Sequence, residues 1–146
     1  MAGTLILLTH LAATLYMTGL IWFVQVVHYP LFNKVGTAGF AAYEEAHTRL
    51  TGWVVGPPML IELFAAGILA AHPPDGTPGW QVWLGLGLVG VIWLSTVALQ
   101  IPQHNVLGGG FDPNAHRLLV STNWARTIAW SLRSLLALWM VFRLLK

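Results

Sequence analysis

His28, His47, His104 and His116 sit where long apolar runs of this chain end or begin, one from each of four helical segments that flank one side of a bundle. Glu44 precedes His47 by three residues, so a carboxylate and an imidazole share one helix face. Imidazole nitrogens and a carboxylate suit iron, copper or zinc. A carboxylate-bridged di-iron centre takes two Glu-x-x-His pairs and two more glutamates. Only the Glu44 pair is present, so a single ion, or a pair of copper or zinc ions, fits the ligand supply better. A single haem held axially by residues such as His28 and His116 is a competing use. Each histidine alone is also an ordinary hydrogen-bonding residue at a membrane interface. His10 and His72 fall at the opposite side.

The elements that must position these groups are helices in a membrane. The 146 residues are 56% hydrophobic and 8% charged, where a soluble domain carries about a quarter charged residues. Seven Lys and Arg with five Asp and Glu cannot cover a water-facing surface. The absence of cysteine excludes thiolate metal sites and iron–sulfur clusters. The net charge of +2 is scattered, with no basic run to suggest nucleic acid. The first apolar run has no basic stretch before it and outlasts a signal-peptide core, so it reads as a retained span.

A span takes about 20 apolar residues. Four segments qualify, approximately 4–27, 53–71, 80–101 and 120–142. The fold class is therefore all-α, an integral membrane four-helix bundle in a single domain, 1–146. An extra amphipathic helix, approximately 37–54, is expected in the first loop, separated from the second span by Pro57-Pro58. At 100° per residue its inner face carries Phe40, Tyr43, Glu44, His47, Leu50 and Thr51. Glu45 and Arg49 lie opposite, in good order for a solvated ion pair. Asp112 and Pro113 suit the start of the last helix. Four spans put both termini on one side, and Trp53 and Trp124 against Trp80, Trp83 and Trp139 mark the two interfaces.

Each helix carries a polar stripe. On the first, His10, Thr14, Met17, Ile21, Gln25 and His28 share a face; on the third, Trp93, Thr96, Gln100 and His104; on the last, His116, Asn123, Arg126, Trp130 and Arg133. A central charge costs about 2.5–3.5 kcal/mol on the insertion scale, so these groups face inward and need partners. Glu62 and Arg133 stand at similar depth and are expected to pair, with Arg126 the second choice. Gln25, Gln100 and Asn123 would orient imidazoles from behind. Trp93 and Trp130 either line an aromatic pocket or fill the core. Gly85, Gly87 and Gly90 suggest close helix packing, and Gly108-Gly109-Gly110 a flexible loop. The two halves echo one another weakly, each running span, exit histidine, loop, entry histidine, span.

The segment "IPQHNVL…NWARTIAWSLRSLL", with Pro102, Asn105, Leu107, Trp124, Arg126, Trp130 and Arg133, resembles the second half of the anthrone-oxygenase-like family of small four-helix membrane proteins. Length and span count agree over the whole chain, and the motifs over its last third. The resemblance implies a shared fold and, if activity follows, oxidation of an aromatic or quinone-like molecule at the membrane. "HYPLF" and the Tyr-Glu-Glu-Ala-His stretch lie outside that pattern.

The leading expectation is a membrane-embedded oxidoreductase or oxygenase-like protein of the bacterial inner membrane, acting on a lipophilic molecule. His28, His47, His104 and His116 would be ligands, Glu44 a further ligand or base, and Arg126 the positive charge for a developing oxyanion. One alternative is a metal-free binding module or accessory subunit, within a homo-oligomer or larger membrane complex. A small ion or proton channel using Glu62, Arg133 and His10 comes third.

Overall fold

A computed structural model describes residues 2–144 and 146. Helix α1 is Ala2–Phe23, α2 Phe40–Ala71, α3 Gly79–Ser95, α4 Ile101–Gly108 and α5 Pro113–Leu144. A widened π-helical turn, Val24–His28, and a 3-10 segment, Pro30–Lys34, prolong α1; a second π turn, Thr96–Gln100, joins α3 to α4. The result, among the described residues, is four helical stretches of 33, 32, 30 and 32 residues, each apolar enough to cross a membrane. At about 1.5 Å per residue, such lengths exceed the roughly 30 Å of hydrocarbon. α1 packs on α2 and α5, α3 packs on α2 and α5, and α4 closes the bundle against α2 and α5.

Several boundaries differ from expectation. The amphipathic helix and the second span are one helix, which runs through Pro57 and Pro58. Proline removes the bonds to the carbonyls of Trp53 and Val54. Trp53 is 77% exposed and Val54 45%, so this stretch lies on the outside of the bundle. The third span continues to Gly108, and the last begins at Pro113, where the Ala115 N–H donates to Asp112 Oδ1 at 2.7 Å.

The expected inner faces are largely buried: His10, Thr14, Met17, Ile21 and Gln25 on α1; Phe40, Glu44 and His47 on α2; Asn123, Arg126, Trp130 and Arg133 on α5. Leu50 is an exception, being exposed. Glu45 and Arg49 are exposed, and no ion pair joins them among the described residues. Small polar groups lace α1 to α5: the Thr18 hydroxyl lies 2.7 Å from Ser134 Oγ, and Trp22 Nε1 donates to Ser131 Oγ at 3.0 Å. Of the four glycines in α3, only Gly85 has a neighbour within 4 Å of a would-be Cβ, the Leu136 side chain at 3.7 Å. Close packing through glycine is therefore local.

Candidate functional site

Both π turns precede a proline. In an α-helix the Pro30 ring would strike the Val26 carbonyl and the Pro102 ring that of Ala98. A turn widened to an i→i−5 bond relieves the collision, as Tyr29 N to Val24 O at 2.9 Å shows for the first. The second is closed by the Ile101 N–H on Thr96 O. Each turn carries a buried glutamine directed at α5. Gln25 Nε2 donates to Val120 O at 3.1 Å, and its Oε1 accepts from Asn123 Nδ2 at 2.8 Å. Gln100 Nε2 donates to Thr122 Oγ1 at 2.9 Å.

A π turn inserts one residue into the helical count, so the buried position after it belongs to Tyr29, and His28 moves to the edge. Tyr29 is buried, and its hydroxyl lies 3.0 Å from His104 Nε2. His104 Nδ1 meets Glu44 Oε1 across the α2–α4 contact. With an ionised carboxylate, one tautomer satisfies both bonds: Nδ1–H donates to Glu44, and Nε2 accepts from the tyrosine O–H. Hydroxyl, imidazole and carboxylate thus form a line with the proton order of a hydrolase triad, here led by a phenol. Tyr29 has no role in the sequence reading; its flanking His28 and Pro30 are the signal that marks it.

A second pair lies beside this line. His28 Nε2 is 2.9 Å from His47 Nδ1, which also meets Thr51 Oγ1 at 3.1 Å. His116 turns elsewhere, its Nε2 donating to the Tyr29 backbone carbonyl at 2.8 Å. Phe32, fully buried, packs edge-on to His28 at 5.3 Å and His47 at 5.1 Å, and stacks on His116 at 6.3 Å between centroids.

Below the cluster is a cavity of about 350 Å³, within the range of small-molecule sites. Its walls are mostly apolar, with Met17, Ile21, Val55, Met59 and Trp130 prominent, and its polar lining includes Tyr29, His47, Gln100, His104 and Arg126. Thr48 and Gly52 of α2 and Ile101 and Asn105 of α4 line it and are exposed, so it opens between those helices. A Cβ at Gly52 would meet nothing within 4 Å. Arg126 is 8% exposed. Its Nε donates to Asn123 Oδ1 at 2.9 Å and its Nη1 to Thr96 Oγ1 at 3.2 Å. It lines the same cavity as Tyr29.

Glu62 and Arg133 form a separate, deeper group. Arg133 Nη1 and Glu62 Oε1 are 2.9 Å apart, both nearly fully buried. Thr14 Oγ1 donates to Glu62 Oε1 at 2.7 Å and Trp130 Nε1 to Oε2 at 2.9 Å, while Arg133 Nη2 lies 3.3 Å from His10 Nε2. Trp130 is therefore both core and cavity wall.

The expected four-histidine ligand set does not converge. Among the described residues, no group of three or more His, Asp or Glu is arranged to hold a metal ion. His28 and His47 face one another, His104 is held at both nitrogens, and His116 is bound to backbone. The Phe32 ring packs against both His28 and His116. What the fold does bring together is Glu44, His104, Tyr29 and Arg126 at the polar end of an apolar cavity. No protein family, curated protein or solved structure matches this chain.

Proposed function

We propose that this protein binds a lipophilic aromatic or quinone-like molecule from the bilayer and moves a proton at its oxygen, the acid–base half of an oxidoreductase or oxygenase-type reaction. The observation that carries this reading is the Tyr29–His104–Glu44 line at the polar end of the 350 Å³ cavity. The ligand's ring lies among Ile21, Met59 and Trp130, and its oxygen faces Tyr29 and Arg126. Tyr29 exchanges a proton with that oxygen, His104 takes or returns one at Nε2, and Glu44 holds the imidazole and balances its positive form. The bacterial inner membrane, with both termini on one side, is the setting we infer. The resemblance to anthrone-oxygenase-like proteins agrees with this substrate class.

Trp130 reports occupancy directly, because it lines the cavity. A short-chain nitrophenol added to the protein in nanodiscs is expected to quench tryptophan fluorescence with saturation. Trp130→Phe should remove the saturable part, and Ile21→Phe, which narrows the cavity, should weaken binding. Linear quenching indifferent to both substitutions would end this reading.

A resident transition metal or haem, supplying the electron acceptor, is the competing use of these side chains. The buried Glu44 Oε2 has no hydrogen-bond partner, which favours something further beside His104. Elemental analysis after metal reconstitution, on protein purified without a histidine tag, separates the two. Stoichiometric iron, copper or zinc, lost in His47→Ala and His104→Ala but kept in His72→Ala, would make the cluster a metal centre.

A further inference from the structure

The two buried arginines of α5 are treated differently by the fold. Arg133 is neutralised by Glu62 at 2.9 Å. Arg126, seven residues of helix nearer the cluster, hydrogen-bonds to the neutral oxygens of Asn123 and Thr96, lies 5.8 Å from the Trp130 ring centroid, and has no carboxylate partner among the described residues. A guanidinium withdrawn from water without a counter-ion is costly to keep, and the cost is recovered when an anion meets it. Arg126 lines the cavity, so that anion can come from a ligand.

Glu44 supplies the matching negative charge at a distance, joined through His104 to Tyr29, which lines the same cavity as the guanidinium. Moving one proton changes this arrangement. When a neutral ligand O–H gives its proton to the Tyr29 oxygen as Tyr29 passes its own to His104 Nε2, the ligand becomes an oxyanion, Tyr29 is unchanged and His104 becomes a cation. No charge is created overall. Two separated charges become two contact pairs, ligand oxyanion with Arg126 and His104 with Glu44. Charge-assisted pairs of this kind are about twice as strong as neutral hydrogen bonds.

We infer that the cavity selects a lipophilic weak acid, a phenol or enol rather than a neutral quinone or a carboxylic acid, and binds it as the oxyanion against Arg126. The inference rests on the cavity being the ligand site proposed above. A carboxylic acid arrives ionised and has no proton for the Tyr29–His104–Glu44 line to accept; a phenol or enol has one. The fully oxidised, neutral form has none either, so it is the species the site releases.

The test uses the full chain in nanodiscs and three probes with the same alkyl tail: a 4-nitrophenol, its O-methyl ether and a simple carboxylate. The phenolate absorption band reads the ionisation of the first. At a pH where this probe is mostly neutral in empty nanodiscs, the protein-bound probe should show the phenolate band. The phenol should bind about 10- to 100-fold more tightly than the ether, as expected for a charged hydrogen bond gained. Arg126→Gln should remove that advantage and the band while leaving ether affinity within about twofold; Arg126→Lys, which keeps the charge without the fork, should restore part of both. A bound probe that stays neutral, or a carboxylate that binds more tightly than the phenol, would overturn the inference and leave the cavity proposal standing. Failure of all three probes to saturate would remove both.

Discussion

Glu62→Ala lowers the stability of the bundle by roughly 3–5 kcal/mol, the cost of leaving a buried charge without its partner. Arg133 then keeps only His10 Nε2, at 3.3 Å, and its Nε is already without a partner. The Thr14 hydroxyl and the Trp130 indole lose their acceptor as well. Arg133→Ala costs less, because Glu62 retains both of those donors. The order of the two losses is therefore a finer test than either alone. Replacing both residues with methionine should recover most of the loss, since neither charge is then buried. Exchanging them, Glu62→Arg with Arg133→Glu, should recover only part: a guanidinium at 62 cannot accept from Thr14 or Trp130. Unfolding midpoints in mild detergent measure all four variants. Equal losses for the two alanine variants, with no recovery in the methionine pair, would mean that this contact contributes nothing to stability.

The same group shows what the sequence made legible. Four apolar runs, and a glutamate and an arginine at matching depth, are enough to locate the spans and to bring Glu62 and Arg133 together, because a charge in hydrocarbon has few places to go. Helical period separates buried Glu44 from exposed Glu45, although the residues are adjacent. The period fails where the helix changes. Counting 100° per residue through Val24–His28 puts His28 inside, whereas the π turn adds a residue and delivers Tyr29. That shift is why an imidazole cluster was legible and a phenol-led line was not. Pro57-Pro58 acts in the opposite sense: the pair predicts a helix end, but Trp53 and Val54, whose carbonyls it frees, lie on the outside of the bundle and the helix carries on. Convergence on a metal needs distances, which side and spacing alone do not contain.

Glu44→Gln is expected to slow oxidation of a lipophilic hydroquinone by about 10²- to 10⁴-fold, the usual contribution of a positioned acid–base group. Glutamine keeps an oxygen for the His104 N–H, so the packing survives, but it cannot balance an imidazolium. His104 then becomes a poor proton acceptor. Tyr29→Phe breaks the line at its other end and should fall in the same range. Because the three side chains act as one unit, the double variant should be no slower than the worse single one. KM should also rise, by up to about 10- to 100-fold, as the oxyanion no longer forms, while the ring contacts with Ile21, Met59 and Trp130 keep the ligand binding saturable. The measurement is oxygen uptake in nanodiscs, with the hydroquinone giving two electrons and two protons to dioxygen to form the quinone and hydrogen peroxide. His72→Ala, in the turn at the far end of α2, serves as the control. A passive carrier or accessory subunit needs the cavity and not the proton line. Saturable binding in all variants, with oxidation no faster in wild type than in Glu44→Gln, would therefore assign the protein to that class.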